Sequence, residues 1–123
     1  MPVTVGVDAI EIARIRRALV RYPAFRERCF TPAEREYCDS RKNPAESYAA
    51  RFAGKEAVGK ALGIGVARAF AWREIEIVGR PKPMVKLHGR IGAWARQSRV
   101  DGIDLSMTHT RELAIAVAVI ENT

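Results

Sequence analysis

The segment that ends at Gly63 constrains the fold more than any other part of this 123-residue chain. Residues 44–62 contain no proline after Pro44 and are rich in alanine, lysine and glutamate, which are good helix formers. A glycine commonly follows the last turn of a helix. The segment therefore predicts one long helix over about 44–62, closed by Gly63.

Two charged residues lie where this helix is expected to be apolar. At 100° per residue, Ala49, Phe52 and Ala53 fall in one stripe, and Glu56 and Lys60 fall within it. One interpretation is a helical pair between Glu56 and Lys60, worth only a few tenths of a kcal/mol. The small neighbours favour a closely packed face, on which both charges must be paired or must hold a ligand. The opposite side of the helix carries Arg51, Lys55, Val58 and Leu62.

Length and composition predict one soluble domain over 1–123. A hydrophobic content of 48% is enough for one core and not for two. The longest apolar stretch, LAIAVAVI at 113–120, is too short to span a bilayer, and the N-terminus has no basic-then-apolar leader. We therefore expect a cytoplasmic protein with no membrane partner.

The net charge of +7 favours a polyanionic partner: nucleic acid, a phosphorylated small molecule or an acidic protein. A nucleic-acid-binding domain, one alternative function, would present aromatic side chains for stacking. Aromatic residues are only 7% of the chain, and Phe52 has core-like spacing, so we expect no nucleic-acid partner. A second alternative is a structural oligomer in which Glu56 and Lys60 pair across an interface.

The remaining pattern predicts an α+β fold. Alternating apolar residues predict strands at 3–8, 72–79, 83–89, 103–109 and 112–120. Further helices are predicted at 11–22, 31–38 and 90–98, the second starting with a capping box of Thr31 and Glu34. The segments 79–83 and 109–112 are predicted connections between strands. Because strands and helices are segregated, we predict an antiparallel sheet with helices packed on it, including one long central helix.

Asp8, at the end of the first predicted strand, has two interpretations. With Glu11 it resembles a capping box at the start of the next helix. With Glu56 it forms a pair of carboxylates on separate elements, which bind a divalent cation, and Lys60 reaches a phosphate on that cation. Magnesium is usually held by one or two carboxylates together with waters and phosphates. This set predicts a Mg²⁺ cofactor and a phosphoryl-type transfer.

Four segments, in order, resemble motifs of the holo-acyl-carrier-protein synthases, the small phosphopantetheinyl transferases. They are GVDAIEIARI (6–15), FTPAE (30–34), RFAGKEAVGKALG (51–63) and LSMTHTRELAIA (105–116). The Gly-x-Asp and Lys-Glu-Ala-x-x-Lys motifs are specific as a pair. The sequence departs from the family at Ala9, where a larger aliphatic residue is usual, and at Pro81, where a glycine turn is usual. Neither departure touches the expected metal or phosphate groups.

The resemblance implies an enzymatic reaction: transfer of the 4'-phosphopantetheine arm of coenzyme A to a serine hydroxyl of an apo acyl carrier protein, for fatty acid biosynthesis. Adenosine 3',5'-bisphosphate is released. By similarity, Asp8, Glu56 and Lys60 are catalytic. Asp8 and Glu56 hold magnesium on the coenzyme A pyrophosphate, and Lys60 stabilises charge on the leaving phosphate. The serine proton has two candidate acceptors, Glu56 and a metal-associated water.

The resemblance also assigns binding residues. For coenzyme A they are Lys42, Arg51, Lys60, His109 and Thr110, with Lys42 and Arg51 at the 3'-phosphate. For an acidic acyl carrier protein they are Arg14, Arg21, Phe25 and Arg28.

Three exposed-looking arginines on the first predicted helix recur at helical spacing. We call them the arginine stripe: Arg14, Arg17 and Arg21. Their alternative interpretation is a solvated helix face without a partner. Members of the family generally form trimers with active sites at subunit junctions, so the resemblance implies a homotrimer.

Overall fold

The computed structural model describes residues 2–64, 71–79 and 82–123, and its architecture is α+β, as predicted. The helices are α1 (Ile12–Arg21), α2 (Phe25–Cys29), α3 (Pro32–Asp39), α4 (Pro44–Leu62) and α5 (Gly89–Gln97). The strands are β1 (Val3–Glu11), β2 (Ile75–Val78), β3 (Met84–Leu87), β4 (Val100–His109) and β5 (Leu113–Asn122). A single 3₁₀ turn, Trp72–Glu74, precedes β2.

The strands form two antiparallel sheets, both in contact with the long helix α4. The larger sheet has the order β1-β5-β4, and the smaller one pairs β2 with β3. α4 packs across the larger sheet and also contacts β2, α1 and α3. On the side of β5 that faces α4, Ala114, Ala116 and Ala118 are fully buried. Their small side chains allow the helix to lie close to the sheet.

α4 is buried on most of its surface, which corrects the single apolar stripe predicted from the sequence. Lys55 and Val58, on the side opposite the stripe, are both 0% exposed. Lys60, within the stripe, is exposed, and Glu56 is half-buried. Because sheets and helices surround α4, helical periodicity does not identify one buried side. The helix ends at Gly63 in the left-handed conformation (φ 78°), as predicted.

β1 is longer than predicted and continues past Asp8 to Glu11. β5 pairs with it along this whole length, with Asp8 opposite Ala116. Asp8 therefore lies inside a strand, and its interpretation as a capping residue is wrong. Glu11 precedes α1 but makes no side-chain cap hydrogen bond. The Ile12 N–H donates instead to the Glu112 carbonyl oxygen at 2.8 Å.

Other element boundaries also differ from prediction. Residues 72–74 form a 3₁₀ turn and not the start of a strand. β4 begins at Val100, with a register shift before Gly102. α2 was not predicted, because five residues are too few to show a helical period. Residues 80 and 81, within the connection predicted at 79–83, lie outside the described residues.

The predicted capping box and hairpin turn are confirmed. The Thr31 hydroxyl accepts from the Glu34 N–H, and the Glu34 carboxylate accepts from the Thr31 N–H. The turn between β4 and β5 spans 110–112, where the Thr110 N–H donates to the Leu113 carbonyl oxygen at 2.8 Å.

Candidate functional site

β1 meets the backbone of α4 at Gly6. A Cβ atom at this position would lie 1.9 Å from the Ala57 carbonyl oxygen and 2.8 Å from the Ala61 nitrogen, so the contact requires glycine. At the same contact, Lys60 Nζ donates to Asp8 Oδ1 at 3.0 Å. Asp8 and Lys60, which are distant in sequence, are therefore joined by an ion pair.

Substitution of Gly6 by alanine should separate β1 from α4. The added methyl group overlaps main-chain atoms, which cannot rotate away, so we expect a loss of roughly 1–3 kcal/mol in the free energy of unfolding. Urea denaturation measures this loss. Gly102→Ala is the matched control, because a Cβ at Gly102 meets nothing within 4 Å. Equal stability of the two variants would contradict the close contact.

Glu56 precedes Lys60 by one turn of α4. Its Oε1 accepts a hydrogen bond from the Trp72 indole Nε1 at 2.9 Å. In the described part of the chain, the salt bridge of Lys60 is to Asp8, and none joins Lys60 to Glu56. The interpretation of Glu56 and Lys60 as a helical pair is therefore wrong.

The antiparallel packing of β1 on α4 brings the three predicted catalytic residues to one area. The Thr4 hydroxyl donates to the Ala61 carbonyl oxygen at 2.8 Å, and Ile10 lines the same cavity as Phe52. Asp8 lies between Thr4 and Ile10 on the same side of the strand. Asp8 therefore faces the part of α4 between Phe52 and Ala61, and this part contains Glu56 and Lys60.

This donor set fits a magnesium ion that also binds a phosphate. The Asp8 side chain is 18% exposed, and its Oδ1 accepts from Lys60. Trp72 donates to one oxygen of Glu56, and no described residue donates to the other. No group of three or more metal-ligating side chains occurs within 2–64, 71–79 and 82–123. Water and phosphate oxygens are the usual remaining ligands of magnesium held by two carboxylates.

A buried ion pair that sequence analysis missed lies next to Glu56 on α4. Lys55 Nζ and Glu34 Oε1 are 2.8 Å apart, and both side chains are 0% exposed. Lys55 also donates to the carbonyl oxygens of Trp72 and Ile75, and Glu34 accepts from the Ile77 N–H at 2.8 Å. Burial lowers the pKa of Lys55, and the Glu34 carboxylate opposes this shift. The capping box alone accounted for Glu34, so no sequence signal indicated the pair.

A basic cavity of about 290 Å³ lies between the start of α4 and the end of β4. Lys42, Arg51 and His109, all predicted for coenzyme A, line it, as does Arg41, which was not predicted. Arg51 is 6% exposed, and its guanidinium lies 4.1 Å from the centroid of the Tyr37 ring. Arg51 Nε has no hydrogen-bond partner among the described residues. A buried, incompletely paired cation beside a cavity suits an anionic ligand.

The other two residues predicted for coenzyme A do not line this cavity. The Thr110 hydroxyl accepts from the N–H groups of Glu112 and Leu113 at 3.3 and 3.0 Å, so it shapes the turn between β4 and β5. Lys60 lies at the contact between β1 and α4. The structure thus separates the basic cavity from the area of Asp8, Glu56 and Lys60, which we call the carboxylate and lysine site.

A second cavity, of about 400 Å³, lies beside α1. The arginine stripe lines it together with Phe25 and Phe52, whose ring centroids are 6.0 Å apart. All three arginines of the stripe are exposed. Arg28, predicted with them, is also exposed but does not line the cavity. Phe52 is one helical turn from Glu56, so this surface adjoins the carboxylate and lysine site.

The sequence model of the 4'-phosphopantetheinyl transferase superfamily matches residues 4–118. The chain therefore belongs to this family of transferases. The match includes Asp8, Glu56 and Lys60, and it also includes the two cavities.

Curated relatives identify the group within the family. The chain is 48% identical to the holo-[acyl-carrier-protein] synthase of Moorella thermoacetica, over 95% of this chain and 92% of that protein. It is 45% identical to the synthase of Chlamydia felis, over 94% and 93%. The solved synthase of Neisseria meningitidis has a TM-score of 0.86 at 30% identity, over 97% and 98% of the two chains. The Helicobacter pylori synthase, solved in complex with coenzyme A, has a TM-score of 0.82 at 30% identity, over 95% and 99%. These similarities place the chain among enzymes of the holo-[acyl-carrier-protein] synthase group.

Proposed function

We propose that this enzyme transfers the 4'-phosphopantetheine arm of coenzyme A to a serine hydroxyl of an apo acyl carrier protein. The serine oxygen forms a bond to the β-phosphorus, the bond from that phosphorus to the bridging oxygen breaks, and adenosine 3',5'-bisphosphate leaves. The observation that carries the proposal is the ion pair between Asp8 and Lys60, with Glu56 one helical turn before Lys60 on α4. The coenzyme A complex of the Helicobacter pylori synthase supports the choice of donor.

Asp8 and Glu56 are the residues that would hold a Mg²⁺ cofactor. The ion, when bound, supplies positive charge that neutralises the pyrophosphate. Lys60, whose side chain is 54% exposed, can place its ammonium beside the leaving phosphate and stabilise the charge that develops there. Glu56 and a metal-associated water remain the two candidate acceptors of the serine proton.

The basic cavity would hold the nucleotide end of coenzyme A. Lys42 and Arg51 are proposed to bind its 3'-phosphate, since both line the cavity and Arg51 Nε has no described partner. A buried N–H without a partner gains a hydrogen bond when an anion binds, and no protein hydrogen bond at Nε has to break. His109 lies in the same lining, and Thr110 contributes through the shape of the turn.

The arginine stripe, together with Phe25 and Arg28, is proposed to bind an acidic carrier protein. Arg14→Glu combined with Arg21→Glu should raise the KM for the carrier by about 100-fold, because two attractive contacts become like-charge contacts. The KM for coenzyme A should hardly change. Initial rates at varied carrier concentration measure the effect.

The control for this variant is Arg90→Glu combined with Arg96→Glu. Both residues lie on α5, both are exposed, and the total charge change is the same. An unchanged carrier KM in the stripe variant would mean that the stripe is a solvated helix face without a partner. A carrier KM that rises equally in both variants would show a general charge effect and no defined docking surface.

A homotrimer is also proposed. On the side of the larger sheet away from α4, Val3, Val5 and Val7 are each more than half exposed (53, 57 and 52%). Val5 and Val7 pair with the half-buried Val119 and Val117 of β5. A contiguous apolar sheet face is typical of a surface that other subunits cover, and light scattering gives the subunit number.

Incubation with coenzyme A, magnesium and an apo carrier, followed by mass spectrometry of the carrier, tests the proposed function. The carrier should gain the mass of one phosphopantetheine group, and chelation of the metal should stop the gain.

None of the helices within the described residues has the length and apolar content of a membrane span. A cytoplasmic location and a role in fatty acid biosynthesis stay predictions.

A further inference from the structure

Trp72 contacts α4 through both the face and the edge of its ring. The ring stacks on Phe52, with centroids 5.8 Å apart and an interplanar angle of 27°. The indole Nε1 donates to Glu56 Oε1 at 2.9 Å. Phe52 and Glu56 are four residues apart and share one side of the helix. Two successive turns of α4 therefore determine where the indole lies, and the indole in turn contacts the Glu56 carboxylate.

The backbone of Trp72 is held in place by the buried ion pair. Lys55 Nζ donates to the Trp72 carbonyl oxygen at 2.8 Å and to Glu34 Oε1 at 2.8 Å. Lys55 and Glu34 are both 0% exposed. A displacement of the chain at Trp72 would therefore remove a hydrogen-bond acceptor from the buried Lys55 ammonium. α4 thus binds Trp72 at its ring through Phe52 and at its main chain through Lys55.

We propose that Trp72 is a positioning residue that orients the Glu56 carboxylate for metal and phosphate binding. An indole N–H donates a hydrogen bond, accepts none and carries no charge. It therefore occupies one carboxylate oxygen without neutralising the negative charge of Glu56. Hydrogen-bond partners of a metal ligand commonly change metal affinity by 10- to 100-fold. The proposal rests on the proposed function, in which Glu56 is a metal ligand.

Trp72→Phe tests this role, because phenylalanine keeps an aromatic ring against Phe52 and lacks the N–H donor. Trp94→Phe is the matched control. Trp94 is the other of the two tryptophans of the chain, and its Nε1 donates to the Leu62 carbonyl oxygen at 3.2 Å. Electron paramagnetic resonance of free Mn²⁺, titrated with each enzyme in the presence of coenzyme A, measures metal affinity.

We expect Trp72→Phe to bind Mn²⁺ about tenfold more weakly than wild type, with an unchanged KM for the carrier. Trp94→Phe should bind Mn²⁺ as wild type does. Equal Mn²⁺ affinity in Trp72→Phe and wild type would overturn the proposal. If Trp72→Phe fails to fold, benzothienylalanine at position 72 in the Trp94→Phe protein replaces it. Its ring keeps the shape of indole with sulfur in place of N–H, and the same tenfold loss is expected.

Nuclear magnetic resonance of the two ¹⁵N-labelled indole groups gives a readout that needs no transfer activity. The signal lost in Trp72→Phe should shift in Glu56→Gln, because the acceptor of the indole N–H changes from a charged carboxylate to a neutral amide oxygen. The Trp94 signal should not shift. An unshifted Trp72 signal would also overturn the proposal. If wild-type enzyme leaves the carrier unmodified while Mn²⁺ affinity depends on Trp72 as expected, the proposed function fails and the positioning role stands.

Discussion

Replacement of Glu56 by glutamine should remove nearly all transfer activity and leave the fold intact. Glutamine has the size of glutamate, and its carbonyl oxygen can still accept the hydrogen bond from Trp72. The main change is the loss of one negative charge at the proposed magnesium site. Because a metal ion contributes several kcal/mol of charge stabilisation, kcat/KM should fall by at least about 100-fold. Mass spectrometry of the carrier over time measures the rate.

Glu36→Gln, at an exposed position on α3, is the control for Glu56→Gln and should keep wild-type activity. Excess magnesium should not restore the Glu56 variant, since an amide cannot supply the missing charge. A rate near that of wild type in Glu56→Gln would show that Glu56 does not hold the metal. Unchanged thermal unfolding would separate the loss of chemistry from a loss of structure.

Lys55→Met should destabilise the fold by about 3–5 kcal/mol, a large part of the 5–15 kcal/mol that stabilises a typical domain. Methionine fills a similar volume, but it leaves the Glu34 carboxylate without its cation at a site that is 0% exposed. The carbonyl oxygens of Trp72 and Ile75 also lose their donor. Urea denaturation monitored by circular dichroism gives the change in the free energy of unfolding.

Lys82→Met is the matched control for this stability prediction. Lys82 and Asp104 are 2.7 Å apart, but their side chains are 69% and 66% exposed. Water screens such a pair, so the substitution should have little measurable effect. The double variant Glu34→Gln with Lys55→Met should be more stable than Lys55→Met alone, because it removes the unpaired buried charge. Equal losses in the free energy of unfolding for Lys55→Met and Lys82→Met would show that burial does not increase the contribution of the Lys55–Glu34 pair to stability.

Local signals in the sequence were enough to predict several elements. The helix that ends at Gly63 and the capping box of Thr31 and Glu34 depend only on neighbouring residues. Both can therefore be recognised from the sequence. The start of β4 at Val100 and the continuation of β1 past Asp8 were predicted wrongly. Both depend on pairing with β5, and strand pairing is a contact between distant segments.

The candidate site divides in the same way. Asp8, Glu56 and Lys60 were predicted from the sequence, because carboxylates and a lysine are the residue types that bind magnesium and phosphate. The sequence did not indicate which of these charges pair, and the helical pair between Glu56 and Lys60, one of its two interpretations, is not formed. The tertiary structure decided the pairing, since the close contact at Gly6 brings Asp8 to Lys60.

Local spacing in the sequence was therefore sufficient for several of the elements and for the chemical types of the predicted site residues. Which charges are buried depends on the packing of the whole chain. α4 is enclosed by a sheet and by other helices, so Lys55 is buried on a side that periodicity does not distinguish. Tertiary packing also brings the Trp72 indole into contact with Glu56, which lies sixteen residues earlier in the chain. Burial and long-range contacts arise from the packing of the whole chain, and no short segment carries that information.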